Sequence, residues 1–187
     1  DRVVVDSKKL HKEVISYLKR TSPDLIDKVQ MYNGTKAIFE TFGIERELEK
    51  TYKRKVPLPS GGSIVFDHTE AMFVIDVNSG RSMDAEQENN ALKTNLEAVK
   101  EITRQIRLRD IGGMIIIDFI DMSSTANRKK MFNEMKNELQ KDRAKTVVYP
   151  TTQLGLIQMT RQRINQNIVE KTSEICPTCN GSGRVTS

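Results

Sequence analysis

Two aspartates that end short apolar segments are the residues of this sequence best suited to chemistry. Asp76 follows the segment 71–75 and Asp118 follows the segment 114–117, and both segments are rich in Val, Ile or Met. Short segments of this kind predict strands that are buried on both faces. A carboxylate at the end of a buried strand loses hydration, which costs free energy unless other groups compensate. Two such aspartates in adjacent strands would form a site for a hard divalent cation such as Mg²⁺.

Strand geometry narrows this candidate site to three residues. Side chains alternate between the two faces of a strand, so Asp76 and Asn78 point the same way, whereas Asp118 and Asp121 diverge. We therefore expect Asp118 to be the partner of Asp76, and Asp121 to serve the following turn. A helical repeat of apolar residues separates the two strands within 71–120, which predicts a right-handed crossover that lays them parallel. Both aspartates would then lie at carboxyl ends of strands, where ligands bind in open α/β sheets.

The residue types limit which hydrolytic mechanisms are available. The only histidines are His11 and His68, and neither lies in a recognisable motif, which disfavours a nucleophile activated by imidazole. Mg²⁺ bound by Asp76 and Asp118 would activate a water and stabilise charge on a phosphoryl group. Asn78 would orient that water or donate a hydrogen bond to the phosphate. The alternative is that the aspartates only cap turns at strand ends, which is a common use of Asp.

Length and composition indicate a soluble globular class. The 187 residues are 37% hydrophobic and 29% charged, and they suffice for one sizeable core or two small ones. No segment approaches the roughly 18 apolar residues that a membrane span requires, and no signal peptide is recognisable. The absence of an initial Met indicates a fragment of something longer. The net charge of +5 suits a polyanionic partner, although so small an excess is weak support for one.

Alternating strands and helices favour an α/β fold with a mixed sheet and flanking helices. The patterns predict strands near 1–6, 28–32, 56–66, 69–77, 114–120 and 146–149, with a hairpin turn at 60–62. They predict helices over 7–20, 37–52, 88–109 and from 123 or 124 to about 141, several of them with Ser or Asp at the first position.

Three basic residues are candidate contacts for a nucleic-acid backbone. Arg107 and Arg109 end the helix between the two aspartate strands, and Lys145 precedes the strand near 146–149. The alternative is that each belongs to a solvated surface, as most charged clusters do. Few aromatic residues accompany the basic clusters, so base stacking within this chain would be limited.

The only two cysteines form a CxxC motif, Cys176 to Cys179, followed by glycines. Thiolates at this spacing bind one side of a tetrahedral Zn²⁺, and glycines permit the tight turn beneath it. Two ligands make half a site, so a second chain is the natural source of two more thiolates. A redox dithiol and inert thiols are the alternatives. Two cysteines make no disulfide framework, which indicates a reducing compartment such as the cytoplasm.

The motifs together resemble the catalytic part of the bacterial ribonuclease E/G family, most strongly over 52–181. The resemblance rests on LPSGGSIV at 58–65, IDVNS at 75–79, TNLEA at 94–98, RQIRLRD at 104–110, GGMIIIDFIDM at 112–122 and CPTC at 176–179. It implies a partial RNase H-like subdomain at 1–51, a DNase I-like catalytic subdomain at 52–172 and a zinc link at 173–187.

The resemblance also implies an activity: Mg²⁺-dependent cleavage of single-stranded RNA to 5′-phosphate and 3′-hydroxyl ends, in rRNA maturation and mRNA turnover. Asp76 and Asp118 would bind the Mg²⁺ and Asn78 would assist. The family implies a homodimer held by Zn²⁺ on Cys176 and Cys179, with higher oligomers compatible. We find no match to the family's S1 and 5′-sensor regions, and no long tail follows residue 187, which favours the ribonuclease G type over the E type. The alternative is a non-catalytic RNA-binding and assembly module that dimerises through zinc.

Overall fold

The computed structural model describes residues 2–80, 87–152 and 155–163, and residues 167, 172–174, 176–179, 181, 183 and 185. By its contacts the chain divides into two compact units, 1–49 and 50–187. Within the described residues, no helix is both long and apolar enough to cross a membrane.

The first unit has very little core of its own. It contains β1 (Val3–Val5), α1 (Lys8–Thr21), a 3₁₀ helix (Pro23–Lys28), β2 (Val29–Met31) and α2 (Ile38–Thr41), and β1 pairs with β2 in parallel. Helix α1 begins where the sequence predicts, because the Ser7 hydroxyl accepts a hydrogen bond from the Leu10 N–H. Yet α1 buries none of its side chains, and Val5 is the only buried apolar residue described before residue 50.

The predicted single helix over 37–52 is wrong. The structure divides it into α2 and α3 (Ile44–Tyr52), with Gly43 between them at φ 68°. A positive φ ends a right-handed helix, and glycine adopts this conformation without the steric cost that a Cβ would bring.

The second unit is built on a six-stranded mixed sheet, which confirms the predicted fold class. Its strands are β3 (Lys55–Pro57), β4 (Ser63–His68), β5 (Met72–Asn78), β6 (Gly113–Asp118), β7 (Thr146–Val148) and β8 (Ile157–Arg161), in the order β3-β4-β5-β6-β8-β7. Only β5 and β6 pair in parallel, and the other neighbours are antiparallel. The long helix α4 (Gln87–Arg109) connects β5 to β6, and α5 (Thr125–Leu139) follows β6 with Ser124 as its N-cap.

Both helices cover the same face of this sheet. The cluster of buried residues joins alternate strand positions to the inner positions of α4 and α5; its members include Phe73, Ile75, Ile115, Ile117, Val99, Ile102, Ile106, Met131 and Met135. The intervening strand residues point to the opposite face, where Met114 is 47% exposed and both aspartates are exposed. The prediction that these strands are buried on both faces is therefore wrong for the residues described, and one face of the sheet is open.

Candidate active site

The parallel pairing of β5 and β6 brings the two predicted aspartates together. Asp76 is directly opposite Asp118, at the last pair of the ladder. Adjacent strands are about 5 Å apart, and residues paired in register point to the same face. Both carboxylates therefore lie side by side on the open face, at the edge formed by the carboxyl ends of β5 and β6.

Asn78 lies on the same face as Asp76 and contacts it. Its amide nitrogen donates a hydrogen bond of 2.7 Å to the Oδ2 atom of Asp76. This bond fixes the orientation of the carboxylate through its Oδ2 atom and does not involve its Oδ1 atom. The structure thus brings together the three residues that the sequence selects for this site.

The electrostatics of the pair favour a bound cation. Partial burial, the negative charge of Asp76 and then that of Asp121 raise the pKa of Asp118. Two carboxylates held this close repel each other, and a divalent cation between them would relieve the repulsion. Among the described residues no group of three or more His, Cys, Asp or Glu side chains converges. A pair of carboxylates fits Mg²⁺, which usually takes one or two protein carboxylates and keeps several waters.

The turn between β3 and β4 packs closely against the end of β5. A Cβ on Gly62 would lie 2.7 Å from the carbonyl oxygen of Asn78, and a Cβ on Gly80 would lie 2.8 Å from that of Gly61. Glycine at these positions permits a backbone approach that no other residue type allows. The carboxylate of Glu97 in α4 accepts a hydrogen bond of 2.9 Å from the Ser60 N–H and so holds the turn in place.

Two polar side chains of α4 hold the chain that follows β6, and neither is among the site residues predicted from the sequence. Asn95 exchanges two hydrogen bonds with the backbone of Ile120. Glu88 accepts hydrogen bonds from the Ser123 and Ser124 N–H groups and from the side chain at position 127, and these bonds lower its pKa. The only signal in the sequence was that Asn95 interrupts the apolar stripe of a helix.

Two cavities flank Asp121 at the same edge of the sheet. The larger, of about 810 Å³, is lined by polar residues that include Ser60, Ser79, Asn90 and Lys93. The second, of about 600 Å³, is lined by Arg128, Thr151 and Thr152 among others. Asp76 and Asp118 are not among the described residues that line either cavity. They lie on an open surface, which suits a polymer substrate better than a small enclosed ligand.

Arg109 does not fit the predicted contact with a nucleic-acid backbone. It is 4% exposed, and its guanidinium lies 4.2 Å from the ring centre of Phe66. Its nitrogens donate to the side chain of Gln105 and to the carbonyls of Lys50 and Lys53. These three hydrogen bonds lie inside the second unit, where Arg109 joins the end of α3 to the end of α4.

Arg107 and Lys145 lie far from the aspartates. Arg107 lies in the last turn of α4, shortly before β6 begins. Lys145 precedes β7, whose first residue, Thr146, pairs with the same β8 residue as Gly113, the first residue of β6. Asp118 is five residues further along β6, so the two edges are roughly 17 Å apart. Lys145 is exposed, and the Nη1 atom of Arg107 is buried with no hydrogen-bond partner in the described part of the chain. Contact with RNA stays a prediction for both.

Cys176 directly precedes a turn over 177–179 that contains Cys179, and the two cysteines are not joined in a disulfide. Hydrogen bonds from the backbone N–H groups of Cys179 and Thr178 lower the pKa of the exposed Cys176 thiol. A lowered thiol pKa favours the thiolate, which is the form that binds zinc and also the form that reacts in redox chemistry. Both zinc binding by Cys176 and Cys179 and the zinc link between two chains stay predictions.

Comparisons with known proteins identify the family. The model of the Ribonuclease E/G family matches residues 1–164. Ribonuclease E of Haemophilus influenzae is 41% identical over 184 residues, which cover 98% of this chain and 20% of that protein. Ribonuclease G of Escherichia coli K12 is 39% identical over 190 residues, which cover 99% of this chain and 38% of that protein.

A plant relative extends the same result. The chloroplastic Ribonuclease E/G-like protein of Arabidopsis thaliana is 39% identical over 188 residues, which cover 99% of this chain and 19% of that protein. The chain thus spans between one fifth and two fifths of the length of these relatives. Because the family model and these relatives cover nearly all of it, the chain belongs to the ribonuclease E/G family.

Proposed function

We propose that this chain is the catalytic part of a Mg²⁺-dependent endoribonuclease that cleaves single-stranded RNA in RNA processing and decay. The observation that carries the proposal is the pairing of Asp76 with Asp118 on the open face of the sheet. The names of the relatives supply the class of substrate, and the site supplies a chemistry that suits it. We further propose that the second unit is the DNase I-like subdomain of the family and that the first is part of its RNase H-like subdomain.

The mechanism follows from what these side chains can hold. Asp76 and Asp118 would bind the cation, and the Asn78 amide would keep the Asp76 carboxylate oriented through its 2.7 Å hydrogen bond. When bound, Mg²⁺ lowers the pKa of a coordinated water and stabilises negative charge on the phosphoryl group. Attack by such a water would form a bond from its oxygen to phosphorus and break the bond to the 3′ oxygen, and the proton that the water gives up would balance the one that the 3′ oxygen takes up. The products carry a 5′-phosphate and a 3′-hydroxyl.

Histidine does not offer a competing mechanism within the second unit. Its only histidine, His68, stacks on Phe73 with ring centres 4.1 Å apart. Phe73 is near the start of β5, three residues before Asp76 and on the opposite face of the sheet. An imidazole in that position does not reach a phosphate bound by the aspartates, so the acid–base chemistry falls to the carboxylates and the cation.

The test of this proposal is cleavage of a 5′-monophosphorylated single-stranded RNA in the presence of Mg²⁺. We expect Asp76→Asn and Asp118→Asn each to lower the rate on the order of a thousandfold, because a metal site contributes several kcal/mol to transition-state stabilisation. Glu70→Gln is the matched control, since it removes an exposed carboxylate before the start of β5. Activity that survives both aspartate substitutions would reject the site.

The same assay separates the alternative of a non-catalytic RNA-binding module. The support for this alternative is that the chain spans only 19–38% of the length of the relatives described above. RNA binding without cleavage would favour the binding and assembly module, provided that Asp76→Asn leaves the RNA affinity unchanged. Cleavage by the wild type with loss in the aspartate variants would favour the enzyme.

We also propose that Cys176 and Cys179 bind one Zn²⁺ together with the same two residues of a second chain. The lowered pKa of Cys176 supports thiolate ligation, and the pair accounts for half of a tetrahedral site. Metal analysis combined with mass measurement should give about half a zinc per chain in a dimer, and both should be lost in Cys176→Ser. One zinc per monomer would contradict the shared site, and a disulfide that forms reversibly in place of zinc would support the redox alternative.

A further inference from the structure

Asn95 is a fully buried polar residue whose hydrogen bonds all serve a distant stretch of backbone. It lies in α4 with 0% exposure. Its amide nitrogen donates to the Ile120 carbonyl at 2.8 Å, and its amide oxygen accepts from the Ile120 N–H at 3.0 Å. The side chain thus makes the two hydrogen bonds that a neighbouring strand would make with Ile120.

These two bonds act where the sheet itself stops. The pairing of β5 with β6 ends at Asp118, and the pairing of β6 with β8 ends one residue earlier, at Ile117. Ile120 lies two residues beyond the last pair. Of the described residues, it is Asn95 that takes the place of a strand at this point, and Glu88 fixes the backbone three residues further on at Ser123.

We propose that Asn95 is a positioning residue of the metal site, which it supports by fixing the backbone that leaves Asp118. The inference rests on the proposed function, because it concerns the same pair of aspartates. Asp118 is the last paired residue of its strand, so the sheet hydrogen bonds fix the backbone only on its N-terminal side. The hydrogen bonds to Ile120 fix the C-terminal side as well, so the carboxylate keeps the orientation that places it beside Asp76.

The residue type at position 95 is specific for this role. An amide offers a donor and an acceptor in one plane, whereas a carboxylate lacks the donor and leucine lacks both. Ala91 and Ala98, four residues before and three residues after Asn95, lie on the same side of α4 and are both buried. Their small side chains allow the backbone after β6 to approach the helix closely enough for direct hydrogen bonds.

The test measures metal binding and local backbone protection rather than turnover alone. Asn95→Leu removes both hydrogen bonds and keeps the branched shape of the side chain, and we expect it to weaken Mn²⁺ or Mg²⁺ binding, measured by titration calorimetry, by about ten- to a hundredfold, as for other residues that support metal ligands. Hydrogen exchange at the Ile120 amide should become faster by a similar factor. Thr103→Val is the matched control, because its buried hydroxyl bonds only to carbonyls of its own helix.

The outcomes distinguish this inference from the proposed function. If Asp118→Asn abolishes metal binding while Asn95→Leu binds with the wild-type constant, the positioning role is wrong and the metal site stands. If neither aspartate substitution changes binding, the site itself is wrong. If Asn95→Leu does not fold, Asn95→Ala serves instead, since it removes both hydrogen bonds without adding volume or charge. Unchanged affinity in a folded Asn95→Ala would also overturn the inference.

Discussion

Replacing Arg109 by methionine tests whether this side chain supports the fold or contacts RNA. The sequence places it among the candidate phosphate contacts, and the structure buries it to 4% exposure against Phe66. Its three hydrogen bonds go to Gln105 and to the carbonyls of Lys50 and Lys53. Methionine retains the apolar contact with the ring and removes all three bonds, so the substitution isolates the polar role.

The magnitude follows from the cost and the gain of burying this guanidinium. Burial lowers the pKa of Arg109 to about 10, a difference from the ordinary value that corresponds to roughly 3 kcal/mol. Hydrogen bonds from a charged donor contribute about 1.5–3 kcal/mol each, and the cation–π interaction with the ring, which methionine cannot make, contributes about 1 kcal/mol. Even at the lower values, the gain exceeds the cost by roughly 2–3 kcal/mol. We expect Arg109→Met to lower the free energy of unfolding by about this amount.

The assay pairs urea unfolding, followed by circular dichroism, with binding of a fluorescent single-stranded RNA. Lys129→Met is the control, because it removes an equal charge from an exposed position of α5. A structural role predicts a lower unfolding free energy for Arg109→Met and, at temperatures where the variant is folded, RNA binding equal to that of the control. An unfolding free energy within about 0.5 kcal/mol of wild type, together with weaker RNA binding than the control, would refute the structural interpretation.

Three further changes have expected outcomes. Asp142→Asn should lower the free energy of unfolding by about 2–3 kcal/mol at pH 7. The reason is that the near-buried carboxylate of Asp142 accepts hydrogen bonds from the buried Arg161, whose hydrogen bonds to other residues remain in the variant. Despite opposing burial, the Arg161 guanidinium holds the pKa of Asp142 below its usual range. The wild type should therefore lose this stability as pH falls through that lowered pKa, and urea unfolding at pH 7 and pH 3 should show a smaller acid effect in the variant. Gly62→Ala should lower both the melting temperature and the cleavage rate, since its Cβ would lie 2.7 Å from the Asn78 carbonyl oxygen; a variant equal to wild type in both would contradict the close packing. Metal affinity, measured by calorimetry from pH 7 to pH 4, should fall as the pH falls, because partial burial and neighbouring carboxylates raise the pKa of Asp118 and protons then compete with the cation; affinity constant down to pH 4 would count against Asp118 as a ligand.

Much of the second unit could be predicted because the sequence patterns that indicate its helices and strands are local. Apolar residues at helical spacing locate α4, and the short apolar segments before Asp76 and Asp118 locate β5 and β6. Two strands joined by one helix tend to lie parallel, so the pairing of the aspartates followed from the pattern. The Ser124 N-cap is likewise a local signal, and its hydroxyl accepts from the Asn127 N–H as expected.

The strand order and the exposure of the sheet could not be predicted in the same way. Strand β8 lies between β6 and β7, so the sheet order departs from the chain order. Such pairings join segments that are distant in the sequence, and the pattern of residues in one segment does not indicate which other segment it pairs with. Apolar positions such as Met114 also looked buried from their type alone, although which face of a sheet is covered depends on where the helices pack.

The polar residues that interrupt the apolar stripe of α4 carry information that periodicity does not. On a fully buried face an amide or guanidinium is unfavourable unless it forms hydrogen bonds, so each one needs a partner in its own helix or in another segment. Asn95 joins α4 to the chain after Asp118, whereas Arg109, whose guanidinium donates to Gln105 of the same helix, joins the other end of α4 to the end of α3. One helix therefore has both a packing role along its length and a positioning role at the end nearest the aspartates. Substitutions in its apolar stripe should change stability alone, and only those at the aspartate end should also change the affinity for the cation.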